Sequence, residues 1–405
     1  MFDVILADIN GVWRGLQAPA ADRDALLRDG VSWPRSLYAM RFDGGVCEET
    51  GLGLSAGDPD YPCVFIPETA APTAWREGGT QAAAEMRTPD GAPFFADPRA
   101  VLAAILEKFH AEGLRPILAV ELEFYLSGEE SAMSELYSPD ATARCAEFFD
   151  LTRRAAAAQN IALGAAVSEY APGQFEINLR HGEPLRACLE ALLFRRIVRE
   201  CARAVGRRAT FMAKPRGDGA GSGMHLHLSV RAADGGFCFA DTQKLHSAVA
   251  GILSIVGEAT AFFAPFGNSY RRYVGGAYAP LSACWDEENR RAAVRLPRAA
   301  SPAAARLELR APGADANPYL AAAALLAGAH YGLANALRPP KPMVSAGRIP
   351  ATWHAALSVL SRAKILPRYM DAKFLRLYRQ IKTDELRRET RHVTDYDRDC
   401  YGRVL

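Results

Sequence analysis

Four short stretches of the chain alternate apolar residues with residues that can hold metal ions or anions. In Val120–Leu126 the two-residue period of a strand sets Glu121, Glu123 and Tyr125 on one face and Leu122, Phe124 and Leu126 on the other. Met224–Ser229 does the same with His225, His227 and Ser229, Phe175–Leu179 with Glu176 and Asn178, and Arg306–Arg310 with Arg306, Glu308 and Arg310. Glu169 stands just upstream of the Glu176 stretch, across an Ala171-Pro172-Gly173 turn. Any one of these is an ordinary amphipathic strand with a wet face. Together they carry five glutamates, two histidines and two arginines without a lysine, whereas a solvated face usually mixes lysine and threonine with both charges. If the four share a sheet, the carboxylates converge on one cavity. Two like charges about 4 Å apart in a protein-like dielectric repel by roughly 4 kcal/mol, so the cluster has to bind cations, pair with arginine or take up protons. An oxygen-rich set with one or two imidazoles favours Mg²⁺ or Mn²⁺ over zinc, and this many carboxylates implies two or more ions.

The segment Lys214-Pro215-Arg216-Gly217-Asp218-Gly219-Ala220-Gly221-Ser222-Gly223 runs straight into the His225 stretch. No Lys-Ser/Thr follows its glycines, and Met224 stands where a Rossmann turn needs its last glycine, so it fits neither phosphate-binding signature. It is either a plain turn or a loop whose backbone approaches a ligand beside the carboxylates. Arg272, Arg290, Arg295, Arg306 and Arg310 add groups that neutralise phosphate oxygens or grip a carboxylate. Carboxylate-held metals with several arginines suit phosphoryl transfer, where catalysis is largely positioning and charge neutralisation.

The elements that must carry these residues divide the 405-residue chain at about residue 96. Residues 1–95 read as short strands (Val4–Leu6, Cys63–Ile66) broken by Gly, Pro and Asp, a small turn-rich β domain. Asp97-Pro98-Arg99 then opens a helix over Ala100–Glu112, and residues 96–405 alternate helices (Ala141–Gln159, Pro184–Val205, Asp241–Phe263, Asn317–Leu337) with strands, an α+β domain ending in a helical tail. With 48 Lys plus Arg against 46 Asp plus Glu the net charge is +2, which argues against nucleic acid as a partner. Arg195, Arg196 and Arg199 read as a solvated helix face. Eight cysteines without close pairing read as buried small hydrophobes of a reducing, cytoplasmic compartment. Asp3 sits where a secretory signal needs basic residues, and the apolar stretch Tyr319–Ala329 is too short to span a membrane, so it is expected to be a buried helix.

Taken in order, these motifs resemble the glutamine synthetase superfamily along nearly the whole chain. Glu121-Leu122-Glu123, Glu169 with Pro172-Gly173-Gln174-Phe175-Glu176, Lys214-Pro215 through Gly221-Ser222-Gly223-Met224-His225-Leu226-His227, Asn268-Ser269-Tyr270-Arg271-Arg272, Asn289-Arg290, Arg295-Leu296-Pro297 and Arg306 to Arg310 followed by Asn317-Pro318-Tyr319-Leu320 look like its successive signatures. The resemblance implies an N-terminal β-grasp domain, then a catalytic domain with a curved antiparallel sheet and flanking helices. It implies one metal on Glu123, Glu169 and Glu176 and another on Glu121, His225 and Glu308. ATP would lie along His227, Ser229, Arg295 and Arg306. Arg272, Arg290 and Arg310 would face glutamate and the transferring phosphoryl group, beside Gly221. It also implies a homo-oligomer with sites shared between subunits, such as a dodecamer of two hexameric rings, in which Asp43 reaches a neighbour's metals or remains a solvated turn residue.

Two departures stand out. Glutamine synthetases carry a glutamate just before Ala-Pro, where it helps deprotonate ammonium; here the residue is Tyr278, followed by Ala279-Pro280. They carry an asparagine before Gly-Ser-Gly; here it is Ala220. With Glu49-Thr50-Gly51-Leu52-Gly53-Leu54 and Gly57-Asp58-Pro59-Asp60, these look like the γ-glutamylpolyamine (glutamate–putrescine) ligase branch. The chain also begins almost at its first strand, without the leading helix usual in that family. The expected activity is therefore an ATP-dependent ligase that joins the γ-carboxylate of glutamate to a primary amine through an acyl phosphate. An authentic ammonium-using glutamine synthetase and a catalytically silent relative are the alternatives. A phenol, with an ordinary pKa near 10, brings no negative charge at pH 7, but its ring suits an alkylamine, and nearby Trp285 is expected to add a cation–π contact.

Overall fold

The computed structural model describes residues 1–128, 135–276 and 278–402. The N-terminal part holds β1 (Phe2–Ala7), β2 (Trp13–Ala18), α1 (Arg23–Asp29), β3 (Val31–Pro34), β4 (Asp60–Phe65), β5 (Ala71–Pro72) and β6 (Thr80–Met86). Its strands lie in the order β2-β1-β6-β4-β3, with β5 beside β6. β1 and β6 run parallel and the other pairs antiparallel.

α2 (Pro98–Ala111) starts where the sequence predicts, because the Asp97 side chain accepts from the Arg99 amide and Pro98 occupies the first turn. Then come β7 (Leu114–Leu126), α3 (Pro139–Arg144), α4 (Ala146–Ala158), β8 (Leu163–Ser168), β9 (Gln174–Leu179), α5 (Pro184–Ala204), β10 (Ala209–Thr210) and β11 (Met224–Ala232). α6 (Thr242–Phe263), α7 (Gly267–Tyr270), β12 (Trp285–Glu287), β13 (Val294–Leu296), β14 (Leu307–Leu309), α8 (Pro318–Ala334), α9 (Trp353–Leu360), α10 (Ala372–Thr390) and α11 (Asp395–Cys400) complete the chain. The single helix expected over Ala141–Gln159 is broken at Cys145, which ends α3 and begins α4.

Four expected strands, β7, β9, β11 and β14, do share one sheet, ordered β12-β13-β14-β11-β7-β9-β8 with β10 also on β7. Apart from the parallel β12–β13 pair, its ladders are antiparallel. Leu122, Phe124, Leu226, Leu228, Ile177 and Leu309 bury the apolar face against the helices. A continuous apolar core joins this face to the N-terminal sheet through residues such as Ile5, Leu6 and Leu37.

α8 is buried on every side, as expected of Tyr319–Ala329. α6 is long and apolar enough to cross a membrane, but most of it is buried in the core beside α8. Two expectations fail. Arg195 is not on a solvated face: it is 5% exposed, with its guanidinium against Phe211 and donating to the Ala316 carbonyl. Seven cysteines are buried, but Cys400 is exposed on the short α11.

Candidate active site

Cross-strand register brings the polar faces together. His225 lies opposite Glu121, Glu123 opposite Glu176, and His227 opposite Glu308. One oxygen of Glu121 is 3.0 Å from His227 Nε2, and the other 3.4 Å from His225 Nδ1. His225 also stands 3.8 Å from Glu308 and 3.9 Å from Glu123. Two triads result, Glu121–Glu176–His225 and Glu121–His227–Glu308, each with ligand atoms within 4.8 Å of one another.

The resemblance divides the ligands differently. His227, expected along ATP, enters a triad, and both its buried ring nitrogens lack a hydrogen bond. Its 3.0 Å approach to Glu121 is therefore a charge contact without hydrogen-bond alignment. Glu123 turns towards the backbone, accepting from the Gly223 amide at 2.7 Å and from Gln174 Nε2 at 3.3 Å. Glu169 stands at the edge, beside the β8–β9 turn.

The carboxylates do not share one charge state. Burial pushes Glu176 up to about 9, and the charges of Glu121, Glu123 and Glu169 push the same way. Glu169 rises to about 7 through burial and the charge of Glu123. Burial also raises Glu123, against the pull of Arg272. For Glu121 burial is outweighed by the pull of the His225 and His227 imidazoles, one beside each oxygen, which holds it below the usual carboxylate range. Glu308 is likewise lowered despite burial, by His225 and Arg310. Burial and Arg310 keep His225 neutral at lower pH than usual, the form that ligates a metal. Buried like charges, a neutral histidine and unpartnered imidazole nitrogens are the donor set a pair of hard divalent cations fits.

Arginines frame the cluster. Arg295 Nη1 is 2.6 Å from Glu308, and Arg310 pairs with the other oxygen of the same carboxylate. Arg310 Nε donates to the Arg290 carbonyl at 3.0 Å, while the Arg290 side chain is exposed and acts on Glu169 through its charge. Arg272 is buried, donating to the carbonyls of Ala311 at 2.8 Å and Arg310 at 3.2 Å, and its charge acts on Glu123.

Gly221 packs on Arg272. A Cβ there would lie 2.7 Å from Arg272 Cγ and 2.9 Å from the Ala213 carbonyl oxygen, which only glycine avoids. The glycine-rich loop is thus a fitted piece, pinned by Tyr125 Oη donating to the Ala220 carbonyl at 2.7 Å. His227, Ser229 and Arg306 line a cavity of about 590 Å³ next to Glu121, together with Asn178 and His181. Tyr278 is 58% exposed. Trp285 does not join it: it is buried against His246 and donates to the Pro340 carbonyl, which removes the expected cation–π contact. Asp43 is exposed and paired with Arg41 at 3.1 Å.

The sequence reading gave no role to Gln174, which ties Glu123 to the Gly221 carbonyl. Its signal was present, since Gln174 continues the alternation of Glu176 and Asn178.

Residues 95–401 match the family described as glutamine synthetase, catalytic domain. Over 97% of its length the chain is 36% identical to gamma-glutamylputrescine synthetase PuuA of Escherichia coli (strain K12), 89% of which is covered. It is 28% identical to the glutamate–isopropylamine ligase of a Pseudomonas species over 98% of this chain and 94% of that one. Among solved structures, a GmaS/ADP complex superposes with a TM-score of 0.85 at 25% identity, covering 98% of this chain and 95% of the other.

Proposed function

The chain belongs to the glutamine synthetase family, and from that premise we propose that it joins glutamate to a primary amine at the expense of ATP, with an alkylamine or polyamine such as putrescine as acceptor. The observation that carries this reading is Tyr278, an exposed phenol at the position where ammonium-using members hold a carboxylate. Ammonium is small and strongly hydrated, and using it well requires a nearby carboxylate to attract it and take its proton. The E. coli and Pseudomonas relatives, both named for amine acceptors, support the same choice.

In this reading the γ-carboxylate oxygen of glutamate attacks the γ-phosphorus of ATP and ADP leaves. The amine nitrogen then attacks the acyl carbon, phosphate leaves, and the nitrogen gives up a proton. ATP occupies the cavity beside His227, Ser229 and Arg306. Arg295 and Arg310 balance Glu308 and the phosphoryl oxygens, with Arg290 at the glutamate end. Arg272 and Gly221 hold the backbone that shapes this end. Mg²⁺ or Mn²⁺ would be held by Glu121, His225 and Glu308 and by Glu123, Glu169 and Glu176, with His227 at hand, and would supply charge neutralisation to the phosphates. A boundary near residue 96 and a homo-oligomer with Asp43 at a neighbour's site belong to the same reading.

The test is a panel of ammonium, putrescine, longer polyamines, ethanolamine and small alkylamines with glutamate and ATP, read by ADP release and product mass. We expect kcat/KM for one primary amine to exceed that for ammonium at least about tenfold, roughly 1.4 kcal/mol of transition-state binding. Ammonium as the best acceptor would make this a glutamine synthetase with an unusual base. No ADP release with any acceptor would make it a silent member.

A further inference from the structure

Alternation along β9 puts Gln174 on the polar face with Glu176 and Asn178, and register sets it opposite Tyr125 of β7. It is 2% exposed, and both polar atoms of its side chain are bonded. Oε1 accepts from the Ala171 amide at 3.2 Å, which fixes the orientation of the carboxamide, because the NH₂ group then points the other way. Nε2 carries two hydrogens and has two acceptors in reach, Glu123 Oε2 at 3.3 Å and the Gly221 carbonyl oxygen at 3.0 Å. The backbone carbonyl of Gln174 also accepts from the Glu169 amide at 2.8 Å.

The Gly221 carbonyl belongs to the glycine-rich loop, and so does its neighbour, the Ala220 carbonyl, to which Tyr125 Oη donates at 2.7 Å. Two side chains that face each other across β7 and β9 thus hold two successive carbonyls of the loop. Glu123 completes the arrangement. Its Oε2 accepts from the Gly223 amide at 2.7 Å as well as from Gln174, while Oε1 stands 3.9 Å from His225 Nε2. With two donors on Oε2, Oε1 is the oxygen that Glu123 has left to offer a metal. The residue type at 174 is constrained accordingly: a glutamate would add another negative charge beside Glu123, and an apolar side chain would leave the Gly221 carbonyl without its donor.

We propose that Gln174 is a positioning residue that couples the Glu123 carboxylate to the Gly221 end of the glycine-rich loop. Filling the metal site then tightens the loop, and loosening the loop at this point weakens the metal site, since coupling between two sites is reciprocal. The proposal rests on the reading above in one respect, that Glu123 is a metal ligand.

The experiment uses the full chain without ATP, glutamate or amine. Arg216 is exposed in the loop, so trypsin cutting after it reports on the loop; Arg348, exposed between α8 and α9, supplies a reference cut. In the parent protein MnCl₂ should slow the Arg216 cut several-fold relative to EDTA and leave the Arg348 cut unchanged. Gln174→Met, which keeps the length and removes the donor, should weaken Mn²⁺ by about tenfold or more in calorimetric titration, the usual cost of losing the partner of a metal ligand. It should also remove the protection that Mn²⁺ gives at Arg216. Tyr125→Phe frees the Ala220 carbonyl without removing a bond to a carboxylate, so it should speed the Arg216 cut at parental Mn²⁺ affinity. The proposal is overturned by a parent that Mn²⁺ does not protect at Arg216, a measurement that needs no variant. Parental Mn²⁺ affinity in Gln174→Met, or faster cutting of that variant at Arg216 and Arg348 alike, would overturn it too. None of these measurements involves turnover, so absence of ADP release with every amine would sink the proposed activity and leave the coupling standing.

Discussion

At the scale of single residues, the alternating strands carried nearly everything that could be read in advance. A period of two fixes a face without knowledge of the fold, so Glu121, Glu123, His225 and Glu308 were legible as a converging set. What could not be read was which polar groups are used up by the protein itself. Arg272 and Arg295 look alike in sequence, yet one donates to backbone carbonyls and the other to a carboxylate. The charge states of the cluster lead to a prediction about pH. Glu176 is raised from 4.5 to about 9, so its contribution to the stability of the metal-free chain is full below about 4.5, declines as the pH climbs, and is gone above about 9. Glu169, raised to about 7, behaves likewise over a narrower range. His225 is lowered and acts with the opposite sign, but only below its unperturbed 6.5. Between pH 6.5 and about 8.5 the glutamates therefore decide the sign. In EDTA the unfolding temperature should fall across this window, by a free energy on the order of a few kcal/mol. Mn²⁺ should raise it more at pH 8.5 than at 6.5, because fewer protons must be displaced, and Glu176→Gln should flatten the metal-free slope. Melting curves in EDTA and in MnCl₂ decide the matter; a metal-free stability that rises with pH would contradict the assigned charge states.

At the scale of elements, helices with a cap and a proline in the first turn were placed to within a few residues, since Asp97-Pro98, Glu183-Pro184 and Asn317-Pro318 state their own beginnings. The break at Cys145 was illegible because neither glycine nor proline marks it. Equally hidden was how α6 and α8 meet. Gly251 of α6 faces Gly328 and Gly332 of α8 so closely that a Cβ at Gly332 would fall well inside contact distance of the Ser247 carbonyl oxygen, and one at Gly328 would come within 2.8 Å of Ile252 Cα. The obstacle is backbone in both cases, so no rotamer change relieves it. Gly332→Ala should therefore destabilise the protein by roughly 1–3 kcal/mol despite the gain in helix propensity, as an overpacked core does. Urea denaturation of this variant against Gly257→Ala, a position on α6 whose nearest neighbour lies 3.7 Å from the added carbon, isolates the crowding. Equal stability of the two variants would mean that the helices slide apart at little cost.

At the scale of the whole molecule, the sequence suggested two parts and said little about how they are fastened, because the fastening joins residues hundreds of positions apart. Trp13 donates to the Leu192 carbonyl, and Asn317 to the carbonyls of Asp8 and Ile9. The deepest link is Lys382 of α10, fully buried, whose ammonium bonds Asn10 of the β1–β2 turn and the Glu385 carboxylate at 2.8 Å and lies 4.2 Å from the centre of the Phe266 ring. Glu385 in turn accepts from the Phe42 amide at 2.6 Å, so one ion pair holds both the N-terminal turn and the loop that carries Asp43. A buried pair costs desolvation to form, and its net contribution to stability is small, but removing one partner strands the other charge. Lys382→Met should accordingly destabilise the fold by about 3–5 kcal/mol. Lys382→Met with Glu385→Leu should recover much of that loss, since no unpaired charge remains. The pair would then be retained for where it places the Phe42–Asp43 loop. In that case the double variant, though stable, should show faster amide hydrogen exchange at residues 41–46 than the parent protein. A double variant no more stable than the single one would show that Asn10, Phe42 and Phe266 depend on the ion pair for their packing, and that the joint between the two parts is electrostatic at its centre.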